Sequence, residues 1–299
     1  MDHYEVDLDE GAMISEDSVP SSLRPYFTGR YLHLYSAIDE TIPYFCKRSK
    51  NVDPQDVRYR IIEFGTYDGK RSAALIRAAL SLGAPTVQYV GFDLFAEHCT
   101  SEIAKKENTA SHIPPSKKAV ESYFRSKFPD SSKVHILLES GFTKHTAPAF
   151  FYDIALLEDC GQSPYYRFPY PVGLIFVDGG HSIPTITNDL FYALCLASPK
   201  TVVLLDDYYP DRTDVGARSI YEALLNTPGR EHYFHLTLLE PAEYFSNTDT
   251  TVQMVRIDPV PNPPRPLACE IQDPSGLFAP VFSEVANAFL EYTDVADSH

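Results

Sequence analysis

From about residue 58 to residue 258, short runs of apolar residues alternate with longer stretches of helical spacing. The runs at 60–64, 87–92, 134–138, 174–177 and 202–205 are brief and almost wholly apolar, and read as buried strands. Between them, 71–81, 117–127, 183–194 and 217–225 read as helices. In the third of these, Ile183, Ile186, Leu190 and Leu194 recur at three- and four-residue steps, and Pro184 falls in the first turn, where its missing N–H costs little. Strand–helix alternation of this kind predicts an α/β fold with a doubly wound, mostly parallel sheet. Two later runs, 234–239 and 251–257, flank the turn-forming Ser246-Asn247-Thr248-Asp249 and are expected to add an antiparallel edge.

The flanking segments follow other patterns. Residues 1–25 carry acids, serines and two prolines without periodicity, and read as a flexible arm. Residues 26–57 form a helical cover, in which Tyr31, Leu34, Tyr35, Ile38 and Ile42 share one helix face. The main domain is 58–258. Residues 259–299 hold a proline-rich linker and a terminal helix, with Val281, Val285, Ala288 and Phe289 at helical steps. That helix docks on the domain or on a partner subunit, which leaves a homo-oligomer open. The aromatic, proline-rich stretch 160–171 reads equally as a lid or a surface loop.

Composition narrows the function classes. Of 299 residues, 44% are apolar and 22% charged, which is ordinary for a globular protein. The net charge of −16 argues against a nucleic-acid partner, which needs clustered Lys and Arg. The five cysteines are scattered without CxxC spacing, as expected of reduced thiols rather than a zinc site. The acidic first ten residues lack the features of a secretory signal, and no run approaches the ~18 apolar residues of a membrane span. The expectation is a soluble cytoplasmic protein with no membrane partner.

Candidate chemistry gathers at the strand ends. Asp178 ends one strand, and Asp206 and Asp207 end another. In an open α/β sheet these ends face the ligand crevice. Three carboxylates there repel one another unless a cation lies among them. Glu63-Phe64-Gly65-Thr66-Tyr67-Asp68-Gly69 directly follows the first strand and opens a helix. Gly65 and Gly69 allow a sharp turn and close approach to a ligand. The spacing is GxxxG, so neither the dinucleotide GxGxxG nor a P-loop is present. Asp93 ends the second strand, where a carboxylate accepts both hydroxyls of an adenosine ribose or else caps a helix. Glu63 accepts a hydrogen bond from a ligand amino group or fixes the amides of its own loop.

Taken together, these residues resemble the S-adenosylmethionine-dependent methyltransferases of the Rossmann-like, seven-stranded type, over roughly residues 58–257. Phe176-Val177-Asp178-Gly179-Gly180-His181 with Leu205-Asp206-Asp207-Tyr208 looks most like the macrocin O-methyltransferase group, and is similar to the metal-dependent catechol and caffeoyl-CoA O-methyltransferases. Ser140-Gly141-Phe142 is similar to the region of the macrocin group near the adenine. The resemblance implies a cofactor site at Glu63, Gly65, Tyr67, Gly69, Asp93, Ser140, Gly141, Phe142 and Asp178. It also implies Mg²⁺ on Asp178, Asp206 and Asp207, where hard oxygen ligands suit that ion and a bound hydroxyl loses its proton more easily. His181 falls where the catechol enzymes carry a catalytic lysine and is the expected base. The expected activity is methyl transfer to a hydroxyl of a sugar, polyketide or phenol. The rivals are an NAD(P)-dependent oxidoreductase and a methyltransferase-like binding protein without turnover.

Overall fold

The computed structural model describes residues 15–47, 58–107, 109, 113–130, 132–156, 172–245 and 250–296. The first fourteen residues, the 160–171 stretch and the Ser246–Asp249 turn lie outside the described residues.

Seven strands form one sheet: β1 (Tyr59–Phe64), β2 (Val87–Asp93), β3 (Val134–Ser140), β4 (Leu174–Val177), β5 (Val202–Tyr208), β6 (Phe234–Phe245) and β7 (Thr250–Pro259), in the order β3-β2-β1-β4-β5-β7-β6. The first five run parallel. β7 inserts antiparallel between β5 and β6, giving the expected antiparallel edge. The chain order reverses between β1 and β4, so a crevice opens beyond their C-terminal ends.

Both faces of the sheet are covered, which explains why its strands read as continuous apolar runs. Alternate residues still go to opposite sides. Ile62, Phe64, Ile175, Val177, Val203 and Leu205 pack with α7 (Ile183–Leu196), α8 (Arg218–Leu225), α9 (Leu267–Gln272) and α10 (Ala279–Ala296). Tyr59, Ile61, Leu174, Phe176, Val202 and Leu204 pack with α1 (Leu32–Lys47), α2 (Lys70–Ser81) and α5 (Lys117–Lys127). Short helices α3 (Phe95–His98) and α4 (Ser101–Lys106) and the longer α6 (Thr143–Leu156) complete the layers. The terminal helix docks on this same chain: Phe282 and Phe289 meet the ring of Phe191.

One expected boundary is corrected. Residues 15–25 are not a flexible arm, because Val19, Leu23 and the following Phe27 are fully buried on the α1–α2 face. Their four-residue apolar spacing is diluted by the acids and prolines around them. Each such side chain contributes roughly 1.5–3 kcal/mol of burial, enough to hold the segment on the sheet. The segment ends in a 3₁₀ turn, Gly29–Tyr31, lying against β6, where the left-handed Gly29 brings the backbone to the Glu243 carboxylate. This turn delivers Arg30 to the C-terminal end of β5.

Candidate active site

Three strand ends are tied together around Gly65. The Asp178 N–H donates to the Phe64 carbonyl, and the Gly65 N–H to the Phe92 carbonyl, each at 2.8 Å. Gly65 has a φ of +99°, and a Cβ there would sit 2.0 Å from the Asp178 carbonyl oxygen, so only glycine lets the loop after β1 cross the end of β4. Two non-glycine residues beside it, Tyr67 and Phe95, also adopt left-handed φ values of 51° and 47°. Strain of this kind persists where surrounding contacts fix it. Here the fixing group is Asp93, whose Oδ2 accepts the Tyr67 N–H and whose Oδ1 accepts the Phe95 N–H, both at 2.7 Å. Burial pushes the Asp93 carboxyl up from its ordinary range, and these backbone donors oppose the rise.

A cavity of about 900 Å³ opens at this junction. Gly65, Tyr67, Asp93, Gly141, Phe142 and Asp178 all line it, so six of the nine expected cofactor residues converge on one space. Helix α7 contributes Asn188 and Asp189, and α10 contributes Val281 and Val285. The sequence pattern of α10 showed a helix without showing which surface it would close.

The other three take different positions. Glu63 is buried beneath the loop, where Ser72 and Tyr89 donate to its Oε2. It therefore braces α2 and β2 rather than the loop amides. Gly69 precedes α2 with a φ of +74° and packs against Val120 and Phe124 of α5. Ser140 ends β3 beside the cavity, and its buried Oγ has no hydrogen-bond partner among the described residues.

Across the crevice the three expected acids come close enough to perturb one another. Burial and then Asp206 push Asp178 up, while burial and then Asp207 push Asp206 up. Each carboxylate nevertheless faces a basic side chain of its own. Arg71 Nη1–H donates to Asp178 Oδ2 at 2.9 Å. Arg30 grips Asp206 with two bonds, Nε–H to Oδ1 at 2.7 Å and Nη2–H to Oδ2 at 3.2 Å. His181 Nε2 lies 2.8 Å from Asp207 Oδ2, and the Tyr209 hydroxyl donates to Asp207 Oδ1 at 2.9 Å.

Backbone irregularity aims these groups. β5 and β7 slip register between Leu205 and Tyr208, which places Asp206 and Asp207 in a bulge, with Asp207 at a left-handed φ of 61°. Gly216, at φ +76°, fits against the Asp207 carbonyl, where a Cβ would meet that oxygen at 2.4 Å. Its N–H donates to the His181 carbonyl at 2.8 Å, so one loop fixes both partners. Burial lowers the His181 pKa, but the hydrogen bond and charge of Asp207 outweigh it and raise the imidazole above its ordinary value. Its Nδ1 is buried and has no partner among the described residues.

The expected Mg²⁺ does not fit this arrangement. The charge that balances the carboxylates is supplied by Arg30, Arg71 and His181. Among the described residues, no group of three His, Cys, Asp or Glu side chains is placed to hold a metal ion. Arg30 and Arg71 escaped the sequence reading because each lies more than a hundred residues from its partner.

Family comparison agrees with the crevice. The profile of the family described as "Methyltransferase domain" matches residues 62–208, from β1 through the aspartate pair of β5. Residues 62–208, just under half of the chain, are thus similar to a methyltransferase domain. No curated protein matches the chain. Among solved structures, the chain is similar to the O-methyltransferase TomG from Streptomyces achromogenes, involved in tomaymycin synthesis and solved with its methyl donor. That match has 16% identity and a TM-score of 0.42, and covers 83% of this chain and 100% of TomG. Cofactor-bound Rv0187 from MTB matches at 15% identity and a TM-score of 0.40, over 77% of this chain and 88% of that one. CalS11, a TDP-rhamnose 3′-O-methyltransferase of calicheamicin biosynthesis, matches at 15% identity and a TM-score of 0.39, over 80% and 86%.

The cavity residues fit the methyl donor. Gly65 gives close backbone approach. The Asp93 carboxylate, held by backbone N–H groups, keeps acceptor capacity for a ribose hydroxyl. Ser140 Oγ offers an unsatisfied polar atom on the side where the adenine is expected.

Proposed function

We propose that the chain transfers a methyl group from S-adenosylmethionine to a hydroxyl oxygen of a small molecule, with His181 as general base. When bound, S-adenosylmethionine supplies an electrophilic methyl on a sulfonium, which needs a deprotonated oxygen aligned with it. In this reading Gly65, Tyr67 and Asp93 hold the nucleoside, and Gly141 and Phe142 border the adenine. Asp207 accepts the Nε2–H of His181 and so keeps the lone pair on Nδ1, the atom that takes the hydroxyl proton. The imidazolium formed is stabilised by the same carboxylate, and Tyr209 holds that carboxylate in place.

The observation that carries this reading is the pairing of His181 Nε2 with Asp207 at 2.8 Å while the buried Nδ1 has no partner among the described residues. Incubation with S-adenosylmethionine and a panel of hydroxylated sugars, polyketides and phenols tests it. Release of S-adenosylhomocysteine matched by an O-methylated product is expected. Methylation confined to amine or carbon acceptors would contradict the assignment.

A further inference from the structure

We propose that the guanidinium of Arg30 permanently occupies the cation position of this site, so that methyl transfer here needs no divalent metal. The proposal rests on the methyl-transfer reading, because it concerns the same carboxylates. Arg30 is 6% exposed. It donates twice to Asp206, to Glu243 Oε2 at 2.8 Å and to the Tyr31 hydroxyl at 2.7 Å. Its guanidinium carbon lies 4.4 Å from the Tyr31 ring centroid, and Arg71, which holds Asp178, lies 3.5 Å from the same centroid. Both oxygens of Asp206 therefore face a planar donor that matches a carboxylate in two places, and Oδ1 also accepts the Asp207 N–H.

A rotating surface arginine could yield to an ion, but this one cannot easily do so. Val19, Leu23 and Phe27 anchor the preceding segment in the core, and Gly29 seats the turn on Glu243. A positive charge fixed beside Asp206 also opposes entry of a second cation. Arg30 is thus a positioning residue: it holds Asp206, and through it the end of β5 from which Asp207 reaches His181.

Mn²⁺ serves as the probe, read by electron paramagnetic resonance, which needs no acceptor and no turnover. The wild type should bind no Mn²⁺ at this site, while Arg30→Gln, which frees Asp206, should bind it at least tenfold more tightly than any residual binding by the wild type. Adding Asp206→Asn to that variant should abolish the gain. Titration with S-adenosylhomocysteine reports folding of each variant independently. Stoichiometric Mn²⁺ binding by the wild type that Asp206→Asn removes would overturn the proposal, even if Arg30→Gln fails to fold. Failure of a folded Arg30→Gln to gain Mn²⁺ would also overturn it. Neither result depends on whether an O-methylated product has been found.

Discussion

Asp207 joins two requirements in one side chain. In the proposed reaction it must stay charged in a buried place, and it must hold His181 in the tautomer that leaves Nδ1 as acceptor. Burial raises a carboxyl, but His181 and the Tyr209 hydroxyl bring Asp207 below its ordinary value. His181 is a base only when neutral, so the rate should rise with pH through a midpoint above the ordinary ~6.5 of histidine. Asp207→Asn removes the charge that raises the imidazole, so the midpoint should move to lower pH while the rate falls. His181→Gln should slow the chemical step by about 10²–10⁴-fold. Pre-steady-state rates across pH check both, and an unchanged profile would make the pair structural only. At this scale the sequence singled out the acids and the histidine that the structure brings together, because acids ending apolar strands are conspicuous. It could not supply their partners. Arg30 and Arg71 carry no local signal, and whether an aspartate faces a metal or a guanidinium is decided by what folds onto it.

Secondary structure was more legible than side-chain pairing. Five parallel strands and the late antiparallel pair were readable because each is a short apolar run. Helix α5 was predicted at its observed bounds. The short α3, α4 and α9 were missed because they carry too few turns for periodicity, and α6 because Pro148 and its mixed polarity obscure a face. The β5 bulge was also unreadable, since it exists only relative to β7. Helix α7 holds a testable consequence of burial. Asp189 is 3% exposed and pushed up to about 7, chiefly by burial, with Asn188 donating to its Oδ1 at 3.2 Å. A folded-state pKa above the unfolded value means that Asp189 favours folding fully below about 3.8, and that this contribution is lost as pH rises through about 7. Asp189→Asn should therefore raise the melting temperature at pH 8.5, by roughly 2–4 °C per kcal/mol relieved. The gain should shrink toward pH 4. A pH-independent difference would show that Asp189 stays protonated or exposed throughout.

For the whole molecule, both ends of the described chain close the site. The segment before α1 seals the acidic crevice, and α10 covers one sheet face while lining the candidate cofactor cavity. Stability and cofactor binding should therefore be linked. Phe282 is fully buried against Phe191, and Phe282→Ala should cost about 3–5 kcal/mol in denaturant unfolding. S-adenosylhomocysteine at a hundred times its Kd should restore roughly 2.7 kcal/mol. A variant that the ligand fails to stabilise would separate α10 from the cavity. No described helix is long and apolar enough to cross a membrane.

The most direct test of the account is calorimetric titration of S-adenosylhomocysteine into wild type and Asp93→Ala. One site should bind in the wild type, and the variant should lose about 1.5–3 kcal/mol, the scale of a hydrogen bond to a charged group. That loss corresponds to roughly 10- to 150-fold weaker binding. Equal affinity in the two proteins, or no binding by the wild type, would contradict the assignment of this cavity.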